Sequence, residues 1–486
     1  MSTLILFVVL YMVVSVGIGL HAASRVRSST DYVLAGRSLP IYITIATVFA
    51  TWFGSEAILG MPATFMEEGL GGIVADPFGA GLCLVFVGLF FAARLYRMKL
   101  LTIGDFYRNR FGRTVEVLIS IAICISYLGW VSAQIVALGL TIHLISGEAV
   151  SFELGMVIGL TVVMLYTIFG GMWSVAIMDF LQMMIILGGL LTVAWLVADR
   201  LDGGYMEVID HAAANNKFDF WPELNLAAIL AFIGTFVTLA LGSIPQQDVF
   251  QRVMSARDEK TAVRGTVIGG TFYIAFCFVP IFIAYGATLL DPGLLTVNMA
   301  EGGDPQRILP EFILNDVPMP IQVVFFGALL SAIMSTASGT LLAPSAILAE
   351  NIFKDAFNLD DKQLLWTLRA CVFVFGLVVL GYAYLSTSAG LSIFEMVENA
   401  YLVTLCGAFV PLAFGVYWKR ATNLGALVSI TLGVTTWAVL EALNLQMMAN
   451  DASMLVPPQL AGLFMAIVGM IAGSLVPPLK PRTATV

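Results

Sequence analysis

Charge is what this sequence has least of. Only 11% of its 486 residues are Asp, Glu, Lys or Arg, against 59% apolar residues. A water-soluble domain carries about 25% charged residues, so a soluble globular protein is excluded and the chain belongs in lipid. Histidines number three and cysteines five. Cys83, Cys124, Cys277, Cys371 and Cys406 all fall in apolar stretches without metal-ligand spacing, which predicts buried packing residues. His21, His143 and His211 are scattered and form no ligand set. The formal charge is −9 and no basic face is present, which argues against nucleic-acid binding. The run from Leu4 to Leu20 lacks a basic segment before it; Arg25 and Arg27 follow it instead. It reads as a retained first span and not as a signal peptide.

What the chain does have is long apolar runs. A helical crossing needs about 20 such residues, and thirteen candidates meet that length. They lie near 3–22, 40–66, 73–93, 114–144, 152–171, 175–198, 225–250, 265–290, 319–350, 366–387, 391–417, 422–444 and 458–477. The predicted class is an all-α integral membrane protein, one polytopic domain over 1–486. Positive loops stay cytoplasmic. With the N-terminus outside, 20 of the 23 basic residues fall on the inner side, Arg252 among them, and only Arg200, Lys217 and Arg307 fall outside. One miscounted span would scramble that split, so the pattern supports an odd number of crossings with a cytoplasmic C-terminus.

Two spans are interrupted. The second carries Phe49-Ala50-Thr51-Trp52-Phe53-Gly54-Ser55-Glu56 and then Gly60-Met61-Pro62; the seventh carries Gly242-Ser243-Ile244-Pro245-Gln246-Gln247-Asp248. Gly, Pro and small polar residues free backbone carbonyls at mid-membrane, where a transporter binds its cargo. Spans 2–6 and 7–11 then form two five-helix halves, each opening on a broken helix. In the ninth span Ala332, Ser335, Thr336 and Gly339 recur on one face. Small residues admit a close neighbour, and the hydroxyls of Ser335 and Thr336 offer hard oxygen ligands for a cation.

Several stretches resemble the sodium/solute symporter family: Asp31 to Pro40, Phe169 to Gln182, Ser331 to Thr340 and Tyr417 to Thr422, in the family's order. The resemblance implies a leucine-transporter-like 5+5 inverted repeat. It has one extra N-terminal helix (3–22), repeats over 40–199 and 225–417, and two extra C-terminal helices (422–477). It also implies a sodium site made by the carbonyls of Ala50, Phe53 and Ala332 and the hydroxyls of Ser335 and Thr336. Asp179 matches the family's acidic residue near the cytoplasmic start of the sixth span, an ion-exit station. Ala50-Thr51-Trp52, Gly129-Trp130 and Leu241 to Val253 are similar to the high-affinity choline transporter branch. Aromatic faces suit a quaternary ammonium, and Trp52 and Trp130 offer two. Gln246 and Ala80 stand where that branch has aromatics; Gln246 would hydrogen-bond a carboxylate, amide or hydroxyl, which keeps proline or a small acid open as cargo. Glu56, Gln134, Tyr127 and Asp76 complete the candidate lining, Asp76 near the outer interface.

The expected function is sodium-coupled symport of a small organic solute across the cell membrane by alternating access, with choline the lead. Sodium is the coupling ion, the solute and the bilayer are the partners, and no enzymatic constellation is present. The rival reading is a solute sensor without transport; the chain ends about ten residues beyond its last span, leaving no room for an appended signalling region.

Overall fold

In lipid a backbone must satisfy its polar groups internally, and the structure is helical accordingly. The computed structural model describes residues 3–300, 303–448 and 454–476. Among these, the single departure from helix and loop is an isolated parallel bridge between Leu39 and Ala256.

Helix α1 is Thr3–Ala23. Helices α2 (Ile41–Trp52) and α3 (Glu56–Gly71) are one span bent by 60°. Then come α4 (Val74–Arg97), the short α5 (Ile103–Phe111), α6 (Arg113–Ile145) and α7 (Phe152–Arg200). Helices α8 (Leu226–Gly242) and α9 (Gln247–Met254) are a second bent pair, at 45°. The chain continues through α10 (Glu259–Leu290), α11 (Met319–Phe357), α12 (Asp361–Ser388), α13 (Ile393–Tyr417), α14 (Asn423–Met447) and α15 (Pro458–Leu475). Ten of the described helices can cross a membrane alone, and the two bent pairs make twelve.

The thirteenth crossing is hidden in α7. Its 49 residues would reach about 74 Å, more than twice the hydrocarbon thickness of about 30 Å. Gly171 interrupts it with φ 50° and ψ −141°. Phe152 lines a cavity with Asp304 and Arg307, and Arg200 donates to the Asp316 carbonyl at 2.7 Å, so both ends of α7 lie at one end of the molecule. The Thr167 and Ile168 carbonyls, near the interruption, accept from Tyr32 at the opposite end, where Ser29 bonds Asp361. The chain therefore turns at Gly171 and makes two crossings.

The basic residues are sorted between those ends. Arg37 donates to the Leu100 carbonyl at 2.6 Å, Arg97 pairs with Glu259 at 2.6 Å, and Arg108 and Arg113 pair with Glu116 and Asp355. At the other end Lys217 donates to the Met66 carbonyl, and Arg307 pairs with Glu311 at 2.8 Å. Lys480 and Arg482 lie outside the described residues. Arg252 departs from the expected sorting. It is not a loop residue: it is 1% exposed and lies inside the helical core. The basic end is sealed over α9, where Leu39 N donates to the Ser255 carbonyl and Arg257 N to the Leu39 carbonyl, each at 3.0 Å.

Helix α11 runs through the centre, packed against α2, α6 and α7. Every residue from Ala328 to Ile347 is buried.

Candidate ion and solute site

The first bend makes its own free carbonyl. In a continuous helix Gly54 N would donate to Ala50, four residues back. Phe53 leaves the helical region (φ −79°, ψ 76°), and Gly54 N donates instead to the Trp52 carbonyl at 2.9 Å. The released Ala50 carbonyl accepts from Thr336 Oγ1 of α11 at 3.1 Å. The adjacent Ser335 Oγ donates to the Ala332 carbonyl, one turn back on α11, at 3.0 Å. Ala50, Phe53, Ala332, Ser335 and Thr336 are all fully buried. The structure thus joins the broken span to the hydroxyl-bearing face of α11 through Ala50 and Thr336, with Phe53 forming the bend itself.

Beside this junction lies an aromatic cluster. The rings of Trp52 and Trp130 stack at 4.6 Å with a 25° interplanar angle, so each indole covers one face of the other and the two do not enclose a space between them. Tyr401 of α13 lies across both, at 5.7 Å from Trp52 and 5.6 Å from Trp130. Tyr127 stacks on Trp130 at 6.0 Å. Among the described residues the indole N–H of Trp52 and the Tyr401 hydroxyl are buried without hydrogen-bond partners, and unpaired buried donors are uncommon.

Polar side chains converge on the same region. Gln134 Nε2 donates to Glu56 Oε2 at 2.7 Å, while Gln134 Oε1 accepts from Ser55 N at 2.9 Å. Gln246 lies at the second bend and donates to Ser126 Oγ at 2.9 Å. Asp76, expected near the outer interface, is instead 3% exposed and accepts from the Tyr273 hydroxyl at 2.5 Å. The reason is packing: Phe78, two residues on, is wedged against Phe220 and Phe278, which holds this stretch within the bundle. Among the described residues neither Glu56 nor Asp76 forms an ion pair.

Asp179 does. Both its oxygens are fully buried, and Arg252 Nη2 lies 3.5 Å away. The other arm of that guanidinium lies 3.9 Å from Asp248, and Asp248 in turn is hydrogen-bonded by the Tyr127 hydroxyl. Gly339 of α11 admits the guanidinium, because a Cβ there would lie 2.2 Å from Nη2. One buried cation is thus shared by two buried carboxylates on α7 and α9, against α11.

Residues 32–433 match the sodium:solute symporter family. The chain belongs to that family. Among its relatives, the human high affinity choline transporter 1 is 29% identical over 403 residues, covering 79% of this chain and 68% of that one. The high-affinity proline transporter PutP of Bacillus subtilis is 30% identical over 443 residues, covering 87% and 89%. A Na+-coupled sialic acid symporter, solved in a substrate-bound outward-open state, superposes with a TM-score of 0.81 at 19% identity and 99% coverage of both chains. The fold is therefore the leucine-transporter-like one that the family resemblance implied, and as a member of the family the protein is a transporter.

Four residues of this symporter's centre escaped the sequence reading: Tyr401, Tyr273, Asp248 and Arg252. A signal existed for one pair only, since Asp248 and Arg252 stand four residues apart and so share a helix face. Tyr401 and Tyr273 come from spans without any break, where nothing distinguishes a site tyrosine from a packing one. Above the aromatic cluster a cavity of about 420 Å³ opens, lined by Gly60, Thr64, Glu67, Asp304, Gln306 and Phe394 among others. Gly60 is one turn along α3 from Glu56, and the Phe394 backbone and Cβ pack 3.3 Å from where a Gly60 Cβ would stand.

Proposed function

We propose that this protein carries a small organic cation into the cell with sodium, by alternating access. The observation that carries the coupling is the Ala50 carbonyl, released by the bend and held by Thr336. Sodium at the carbonyls of Ala50, Phe53 and Ala332 and the hydroxyls of Ser335 and Thr336 ties α2 to α11 and stabilises the form open on the side opposite the basic end. Loss of the ion lets the broken spans tilt, and Asp179 of α7 is the station the ion passes on release. In this reading the basic end faces the cytoplasm of the cell membrane and the N-terminus lies outside. The two repeats span 40–199 and 225–417.

Two features favour a cationic cargo. Trp52, Trp130 and Tyr401 gather three aromatic rings beside the first bend, and aromatic rings attract a quaternary or protonated amine. Glu56 and Asp76 add negative charge that no buried base offsets. Choline, the solute named for several relatives, has this chemistry. The second reading is proline or a small carboxylate held by the Gln246 amide; it has the PutP relative in its favour, and the two uncompensated carboxylates against it.

The deciding experiment is uptake into proteoliposomes of labelled choline and labelled proline, each with and without an inward sodium gradient. Accumulation of choline only under the gradient is the expected result. Accumulation of proline instead selects the second reading, and binding of either solute without accumulation identifies a sensor.

A further inference from the structure

The five sodium ligands proposed above are all neutral oxygens. Neutral oxygens can replace the hydration shell of a monovalent cation, and a negative charge within a few ångström strengthens the hold on it. Four carboxylates are buried around the centre: Glu56, Asp76, Asp179 and Asp248. Asp179 and Asp248 share the guanidinium of Arg252 between them. Asp76 is turned towards Tyr273 on α10. Glu56 is left.

The surroundings of Gly54 show where its carboxylate points. Around the position a Cβ would take on Gly54, Gln134 Oε1 lies at 2.7 Å, Thr336 Oγ1 at 2.8 Å and Glu56 Oε2 at 2.9 Å. Three oxygens from three spans crowd one glycine. The carboxylate oxygen and the Thr336 hydroxyl are consequently less than about 6 Å apart, a distance over which charges in a protein interior act strongly. Gln134 fixes the carboxylate there, with one arm on Glu56 and the other on the Ser55 amide.

We propose that Glu56, positioned by Gln134, is the counter-charge of the coupling ion, placed across the bare face of Gly54 from Thr336. This rests on the sodium reading above and reassigns Glu56 from the solute to the ion. Coupling acquires a physical basis, because Glu56 follows the bend directly and Trp52 of the solute surface precedes it: an ion drawn to Glu56 sets the bend on which the aromatic face is carried.

The test is a sodium titration of the purified full-length protein in detergent, followed by thermal shift, with potassium chloride holding ionic strength constant. The wild type responds to sodium. E56Q, isosteric but neutral, raises the half-maximal sodium concentration at least about tenfold, as loss of a charge at this range requires. E56D, which keeps the charge, stays within about threefold of wild type. An E56Q variant that titrates like wild type overturns the inference and leaves the sodium site standing. A wild type indifferent to sodium overturns the site and the inference together. Should E56Q fail to fold, E56D decides: a sodium response lost in the charge-retaining variant rules out charge as the reason for Glu56.

Discussion

Arg252 shows how much one side chain can hold at the centre of a membrane protein. A guanidinium at 1% exposure would be prohibitive alone, and so would Asp179 or Asp248; set between the two, Arg252 offsets one of their two charges and is shared by both. Breaking such an arrangement from one side costs about 3–5 kcal/mol, because the remaining charges are left uncompensated. Arg252→Met is therefore expected to lower the thermal unfolding midpoint markedly, with Arg252→Met combined with Asp179→Asn recovering part of the loss. Equal midpoints for R252M and wild type would show that the three charges are not coupled in this way. At the ion site the corresponding experiment is joint replacement of Ser335 and Thr336 by alanine. Sodium-driven accumulation should disappear while the protein still elutes as a single folded species. Persistent sodium-driven uptake in S335A/T336A would remove these hydroxyls from the site.

Among the elements, the two bent spans and α7 carry the architecture, and each is interrupted for a local reason. Pro245 has no N–H to continue the ladder, and Ser243-Ile244 turn the chain before α9 begins. At Gly171 the backbone sits at φ 50°, a region that side chains with a Cβ rarely enter. A Cβ there would also stand 2.4 Å from the Tyr32 carbonyl oxygen. Gly171→Ala combines backbone strain of about 1–3 kcal/mol with a clash against backbone. Reduced yield and a lowered unfolding midpoint are expected, whereas Gly188→Ala on the same helix, with nothing within 4 Å, should be neutral. A G171A protein as stable as G188A would mean that the turn between the two crossings tolerates an ordinary residue.

For the molecule as a whole, the question is which end faces the cytoplasm. The five native cysteines are all buried, so background labelling by an impermeant maleimide should be low. Asn216 is exposed at one end and Arg257 at the other. In intact cells N216C should be labelled and R257C protected until the membrane is permeabilised; the reverse pattern would invert the topology proposed here. Cargo coupling also belongs to this scale, since the broken spans must move against α11 for the basic end, now closed by the Leu39–Ser255–Arg257 pairing, to open.

Apolar run length, loop charge and the two clusters of Gly, Pro and small polar residues were enough for the sequence to determine the membrane class, thirteen crossings and the position of both breaks. These are one-dimensional properties: a helix in lipid closes its hydrogen bonds within itself, so its presence and its interruptions are written locally. The Ser335-Thr336 pair was legible for the same reason. Only the tertiary structure decided that Thr336 meets Ala50, that Tyr401 joins Trp52 and Trp130, that Tyr273 reaches Asp76, and that Arg252 is buried between two acids instead of facing the cytoplasm. Each of these pairs spans that are distant in sequence, and partner choice between helices depends on the shape and charge of both faces at once, which neither span encodes alone.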